Sequence, residues 1–213
     1  ISSGAETELI NPEITVNAED INVGDIAVIS IQANENFTAP VNVTVNNNEY
    51  TVNVITGEGS ISIEDLSAGI YDIKVIFAGN DIFKKAQKTS KFNVNKLIPT
   101  IIIKADESIV EESDLSVEVI IEGATGNVII NDAEIALTDG KATTSISNLT
   151  LGEHTISVTY KGDGKYKNAT NFTKVNVYAK ANPELTVKVS DVNVGDDATV
   201  NIEINKDATG KVT

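Results

Sequence analysis

The chain has 213 residues, no Cys and a formal net charge of −15. Its 16 cations are all Lys and form no basic patch, so it lacks the guanidinium forks and positive face that phosphate and nucleic-acid binders use. Without Cys there is no disulfide framework and no thiolate chemistry. No apolar run reaches the ~20 residues that span a bilayer as a helix, so no membrane insertion is expected in this segment.

Taken in order, residues 1–10 read as a lead-in or as the end of a preceding repeat. A pattern then opens at Pro12-Glu13-Ile14-Thr15-Val16 and continues with Asn22-Val23-Gly24-Asp25. Apolar residues alternate with polar ones from there on, the period of half-buried antiparallel strands. Strands are predicted at Ile14–Ala18, Ile26–Gln32, Val41–Asn46, Tyr50–Thr56, Ser60–Glu64, Tyr71–Phe77 and Lys91–Lys96, with turns at Gly57-Glu58-Gly59 and Gly79-Asn80-Asp81.

Pro99-Thr100-Ile101-Ile102-Ile103 opens a second copy, in which Asp139-Gly140 is the expected hairpin turn and His154–Tyr160 the longest alternating run. Pro183-Glu184-Leu185-Thr186-Val187, followed by Asn193-Val194-Gly195-Asp196, opens a third. The period is about 85 residues, which defines a repeat architecture. Seven short strands per period with almost no helical periodicity predict an all-β fold of tandem immunoglobulin-like β-sandwich domains. The boundaries are 11–97 for the first domain, 98–181 for the second and 182–213 for an incomplete third. The joints Lys96-Leu97-Ile98-Pro99 and Lys180-Ala181-Asn182-Pro183 carry no Gly/Ser linker, so an extended, semi-rigid rod is expected.

The third copy supplies three strands at most, Glu184–Ser190, Ala198–Ile204 and a stub at Gly210–Thr213. Leu185, Val187, Val200 and Ile202 would then face water. The expectation is that the natural chain continues and completes this domain, or that a neighbouring molecule supplies the missing strands.

Tyr71 narrows the sandwich class. Leu66-Ser67-Ala68-Gly69-Ile70-Tyr71 enters a long strand late in the domain, where immunoglobulin-like folds place a tyrosine corner whose hydroxyl bonds upstream backbone. His154, the only His of the chain, holds the same slot in the second copy. Its position in the repeat argues for a structural substitute, mostly buried and bonded to backbone, rather than a catalytic base or metal ligand.

The run from Leu66 to Gly79 followed by Phe83, and that from Leu149 to Gly162 followed by Asp163-Gly164-Lys165-Tyr166, resemble the bacterial-type Ig-like repeats of large surface proteins. With Asn- and Val-rich strands and joints such as Asn11-Pro12-Glu13-Ile14, the resemblance is closest to adhesin-like proteins of methanogenic archaea. It covers residues 11–213. The second copy departs from the pattern at Glu111-Glu112, where the other copies have Val-Gly-Asp, which leaves its first turn open. The resemblance implies an extracellular, cell-surface-attached chain whose partners are the neighbouring repeats of the same chain, another cell surface or a like subunit.

Few constellations point to chemistry. Five Asn-x-Ser/Thr sequons begin at Asn36, Asn42, Asn148, Asn168 and Asn171, candidate N-glycosylation sites that a chain rich in Asn and Thr also generates by chance. Acids gather early in each copy: Glu19, Asp20 and Asp25; Asp106, Glu107, Glu111 and Glu112; Asp191, Asp196 and Asp197. Ca²⁺ is the cation such oxygens suit, but no loop has the spaced Asp/Asn ladder of a strong Ca²⁺ site. Solvated acidic ends are the main reading, and no cofactor or metal is expected. Lys104 and Asn176 lie on the first and last strands of the second copy, the strands between which surface Ig-like domains can carry a Lys–Asn isopeptide cross-link, but the first copy has no Lys on its first strand, so such a link would not repeat. No Ser is paired to a usable His, and no metal triad or glycine-rich phosphate loop appears, so the chain is read as non-enzymatic.

The functional expectation is therefore spacer repeats of a long cell-surface adhesin-like protein. The alternatives are an Ig-like module that grips a glycan or partner protein directly, an accessory domain of an enzyme, and a fibre subunit that assembles by strand donation. The low aromatic content, 5%, counts against sugar-stacking platforms.

Overall fold

A computed structural model describes residues 8–206 and 208–209. The fold is all-β, with eighteen strands and no helix among the described residues. The first eight are β1 (Thr15–Ala18), β2 (Ile21–Asn22), β3 (Ala27–Gln32), β4 (Ala39–Val45), β5 (Asn48–Val54), β6 (Glu58–Ile63), β7 (Gly69–Phe77) and β8 (Ala86–Asn95). They form two sheets, β1-β3-β6 and β2-β8-β7-β4-β5. The inward residues of both make one core: Ile29, Ile31, Phe37, Val41, Val43, Ile73, Val75 and Phe92 are all essentially inaccessible. The alternation predicted from sequence is the reason, since each strand turns every second side chain inward.

The next eight are β9 (Ile102–Ala105), β10 (Ser108–Val110), β11 (Leu115–Ile120), β12 (Asn127–Ile130), β13 (Ala133–Ala136), β14 (Lys141–Ile146), β15 (Gly152–Tyr160) and β16 (Ala169–Tyr178). Their sheets, β14-β11-β9 and β10-β16-β15-β12-β13, repeat the first pair. The long strands β7 and β15 share one order of buried and exposed positions, and so do β8 and β16. Two further strands, β17 (Thr186–Val189) and β18 (Val200–Glu203), pair antiparallel. The stub expected at Gly210–Thr213 lies outside the described residues. By Cα proximity the chain divides into two compact units, Ile1–Lys104 with Glu118–Thr143 and Ser157–Phe172, and Ala105–Val117 with Thr144–Ile156 and Thr173–Thr213. That division falls across the strands of the second sandwich.

Each sandwich has one strand more than the seven read from sequence. The opening strand breaks and changes sheets: β1 pairs antiparallel with β3, whereas β2 pairs parallel with β8, matching Ile21 to Val94 and Asn22 to Asn95. Asp20 holds the break, its carboxylate accepting the Asn93 backbone N–H at 2.7 Å and the Asn93 side-chain amide at 2.9 Å. In the second sandwich β10 runs parallel to β16, and the Asn176 N–H donates to the Glu107 carbonyl at 2.9 Å. Strands of two or three residues leave too short a period to be seen in sequence.

The first turn of the second copy, left open by Glu111-Glu112, is the same turn as in the first. Ser113 N–H donates to Val110 O, as Asp25 N–H does to Asn22 O. Glu112 adopts φ +66° where Gly24 has +96°, and so carries a side chain in the left-handed region. The hairpin turn at Asp139-Gly140 forms with φ +51° and +73°, closed by reciprocal bonds between Thr138 and Lys141. A Cβ on Gly140 would lie 2.5 Å from the Ile121 carbonyl oxygen, so the close approach needs glycine there. Its counterpart turn is Thr56-Gly57, so Glu58 and Gly59, read from sequence as turn, belong to β6.

Candidate functional site

The corner slots have matching geometry. Tyr71 Oη donates to Ser67 O, four residues upstream, at 2.9 Å, and its ring stacks on Phe92 with centroids 5.3 Å apart. His154 Nε2 lies 2.6 Å from Thr150 O, also four residues upstream, which requires the tautomer that carries its proton on Nε2. Both side chains are half-buried rather than enclosed, because they stand at the strand's entrance where the core ends. Nothing nucleophilic or metal-binding faces either of them in these bonds.

A second repeated device sits in the loops after β7 and β15. Asn80 Oδ1 accepts the N–H groups of Ile82 and Phe83 at 2.9 and 2.7 Å. Asp163 Oδ1 accepts those of Lys165 and Tyr166 at 2.8 and 2.7 Å, and its Oδ2 takes the Thr125 N–H and hydroxyl, both at 2.9 Å. Burial works to raise the Asp163 pKa, but the three backbone N–H donors and the Thr125 hydroxyl outweigh it and hold the carboxyl well below the usual carboxylate range. This loop also fixes the start of each copy. Ile10, at the edge of the sequence-read lead-in, pairs with Phe83, and Leu97, read as the last residue of the first domain, pairs with Tyr166.

The sequons differ in what their amides do. Asn171 Nδ2 donates to Ile101 O at 2.8 Å, so its amide is committed to the fold. Asn36, Asn148 and Asn168 lie in turns or loops with exposed side chains, and Asn42 is an exposed residue of β4. Thr38, the hydroxyl partner of Asn36, accepts the Thr56 N–H at 3.0 Å.

The early acids bond to backbone and to lysine. Asp25 Oδ2 accepts the Asn22 N–H at 3.0 Å, Glu111 Oε1 accepts the Lys180 N–H at 3.0 Å, and Glu112 pairs with Lys180 Nζ. No three His, Cys, Asp or Glu side chains converge into a metal-holding group among the described residues. Lys104 Nζ pairs with Glu118 at 3.2 Å, while Asn176 Nδ2 contacts Tyr178 Oη at 3.4 Å, so neither is engaged with the other.

The second copy has an apolar groove. It measures about 710 Å³ and is lined by Leu97, Ile98, Ile102 and Ile120, with Glu122, Asp139 and Lys141 among its polar residues. Ile98 is 79% exposed. The counterparts of Ile98, Ile102 and Ile120 in the first copy are polar, namely Asn11 just before Pro12, Thr15 at the start of β1 and Gln32 at the end of β3, whereas Leu97 corresponds to the apolar Ile10. The third copy has Asn182, Thr186 and Glu203 at those places. Sequence reading missed the groove because Ile-rich strands look like core. Aligning the three copies position by position would have exposed it.

No helix among the described residues is long and apolar enough to cross a membrane. No protein-family model matches the chain, and no curated protein does. Among solved structures, fibronectin(III)-like modules of Clostridium thermocellum CbhA are 14% identical over 78% of this chain and 94% of theirs, with a TM-score of 0.33. The amphioxus IgVJ-C2 molecule is 14% identical over 73% of this chain and 98% of its own, with a TM-score of 0.38. A β-glucuronidase from Parabacteroides merdae is 10% identical over 78% of this chain but only 24% of its own, with a TM-score of 0.33. The solved structures similar to this chain thus include fibronectin(III)-like and immunoglobulin modules, while the immunoglobulin-like fold itself is established by its strand pairing.

Proposed function

We propose that the chain is a set of non-enzymatic spacer repeats of an extracellular, cell-surface-attached adhesin-like protein. One observation carries this reading: in each sandwich the opening and closing strands pair in parallel, β2 with β8 and β10 with β16. Tension applied along the polypeptide then shears that patch of hydrogen bonds together instead of peeling them one by one. What recurs from copy to copy serves the same end, since the corner side chains and the Asn80 and Asp163 side chains bond to backbone and fasten strand entrances and loops. The surface acids keep a long chain soluble through net charge, and the exposed sequons at Asn36, Asn42, Asn148 and Asn168 suit a glycosylated exterior.

The second-copy groove favours a second reading, in which that sandwich grips a glycan or partner protein directly. The test is a glycan array probed with the whole chain, beside the same chain carrying Ile102→Thr and Ile120→Gln. A spacer gives no saturable signal with either. Saturable binding that disappears in the double variant moves the assignment to a binding module.

A further inference from the structure

Two hairpins hold the same place in the two sandwiches but differ in length. Val43 of β4 pairs with Val75, and Ile130 of β12 with Val158, each the seventh residue of its long strand, β7 or β15. Beyond those positions the first hairpin encloses six residues, between Val43 and Tyr50, and the second only two, between Ile130 and Ala133. The extension lengthens β5, the edge strand of its sheet, to 7 residues against 4 in β13. β5 pairs with β4 in unbroken register, without a bulge, and contains neither Lys nor Pro. Bulges, Lys and Pro are what blunts an edge against pairing with another chain. In β13 the place of Thr51 belongs to Glu134, which accepts from Asn127 Nδ2 and Lys161 Nζ, both at 3.2 Å.

The two-residue turn at Asn46 and Asn47 makes Val45 and Asn48 a hydrogen-bonded pair. By the same alternation Pro40, which has no N–H to give, stands opposite Asn53 in a pair that needs none. The N–H and C=O of Glu49 and Thr51 then point away from β4, to the free edge. Beyond Val52 that edge is closed by β6, because the Asn53 carbonyl oxygen lies 3.3 Å from where a Cβ on Gly59 would stand. Open backbone therefore runs over residues 48–52, and Tyr50 is its midpoint.

We propose that this edge joins two copies of the chain, antiparallel about a twofold axis at Tyr50. Glu49 then faces Thr51 of the second copy, and their N–H and C=O groups exchange hydrogen bonds on both sides of the axis. Asn48 faces Val52, and no like charges stand directly opposite. The two Tyr50 rings, each half-buried against its own core, meet on the inner face of the joined sheet. That twofold match selects a second copy over a foreign peptide, which would satisfy the backbone without supplying the second ring. The same axis in β13, at Ala133, would set Glu134 against Asp132 and offer no ring, so the second sandwich is blocked from this contact. No strand leaves its own core, and the contact goes beyond the spacer reading, on which it does not depend.

Sedimentation of the whole chain over a range of concentrations tests this. A monomer–dimer equilibrium is expected, and Thr51→Glu should weaken it about tenfold by setting two acids opposite each other on each side of the axis. That variant should fold, since β13 folds with Glu134 in the same place. Adding Glu49→Lys to Thr51→Glu should restore the dimer, and Thr51→Lys alone should tighten it. Thr89→Glu, on β8 and remote from the edge, should leave it unchanged. Site-resolved hydrogen exchange supplies a second readout: the amides of Glu49 and Thr51 should gain protection as concentration rises, and that of Glu134 should not. A chain that stays monomeric up to its solubility limit overturns the proposal. So does association that Thr51→Glu leaves intact, which would place the contact elsewhere. Association that Thr51→Lys weakens overturns it too, by moving the axis off Tyr50.

Discussion

The loop end of the first sandwich is closed by three phenylalanine rings, and that of the second by two tyrosines, an alanine and a carboxylate. Phe37 meets Phe77 and Phe83 edge-on, with centroids 4.9 and 5.1 Å away. In the second copy Ala124 takes the place of Phe37, and Tyr160 and Tyr166 take those of Phe77 and Phe83. Their hydroxyls donate to Thr125 O at 3.1 Å and to Glu122 O at 2.9 Å, so the loop at 122–125 is held by hydrogen bonds where the first copy uses ring packing. Losing one ring and gaining two hydroxyls are coupled changes, because a buried hydroxyl without a partner is costly. One backbone plan therefore tolerates an apolar or a polar closure, provided each is complete.

The largest expected effect comes from breaking the apolar closure. Phe37→Ala leaves a cavity between Phe77 and Phe83 without supplying the hydroxyls that the second copy uses, and should destabilise the first sandwich by about 3–5 kcal/mol. The reciprocal Ala124→Phe adds a ring where two tyrosines already fill the space and should cost about 1–3 kcal/mol. Urea unfolding followed by site-resolved hydrogen exchange reads each sandwich separately. If both substitutions prove neutral, the two closures are not alternatives.

Tyr160→Phe tests the polar closure alone. It removes the hydroxyl's bond to the Thr125 carbonyl, which sits in an exposed loop, and should cost about 0.5–1.5 kcal/mol, whereas Phe77→Tyr in the first copy gains no such partner and should not stabilise. The same closure makes the second sandwich sensitive to pH on both sides. Burial, aided by the Asp163 carboxylate, pushes the Tyr160 pKa up to about 12. Because the folded value is raised, its stabilisation is full below the ordinary tyrosine pKa near 10 and is lost as pH rises through about 12. Asp163 is depressed, so its contribution is full above the ordinary carboxylate range near 4 and falls away as pH drops below it. The Phe37, Phe77 and Phe83 cluster has nothing to titrate. Melting each sandwich across pH checks the contrast.

Gly24→Glu, which imitates Glu112, should cost about 1 kcal/mol, because it places a side chain at φ +96°. Space is not the obstacle, since a Cβ at Gly24 meets nothing within 4 Å. The smallest effect is expected of His154→Tyr. Tyr71 already bonds the carbonyl four residues upstream in the same slot, so stability should stay level or rise. A loss above ~2 kcal/mol would show that the two slots differ in their surroundings.

Most of the fold was legible in the sequence because strand periodicity and the repeat reinforce each other. Long strands such as Gly69–Phe77 and Gly152–Tyr160 carry several alternations each and are read almost to the residue. The strand switch at Asp20 was not legible, since two-residue strands have no period and the Asp20–Asn93 bonds join residues far apart in sequence. The four-donor cradle around Asp163 was hidden for the same reason: Thr125 comes from another loop. Acids that looked like a cluster in sequence, Glu19, Asp20 and Asp25, are divided in space by the tasks of Asp20 and Asp25 as separate backbone caps. The groove at Ile98, Ile102 and Ile120 was present in the sequence only as a difference between copies.

Pulling single molecules of the whole chain by its ends tests the central claim, that β1–β8 and β9–β16 are separate modules each clamped by parallel terminal strands. Two discrete unfolding events are predicted, each releasing roughly 300 Å of chain, as about 85 residues at 3.3–3.6 Å per residue require. Both should occur at forces well above that of the uncovered β17–β18 hairpin. Substituting Pro for Asn95, whose N–H and C=O lie in the β2–β8 pairing, should lower the force of one event and leave the other unchanged. A single event of double length, a second sandwich that opens in two steps across its strands, or forces insensitive to the β2–β8 pairing would contradict the account.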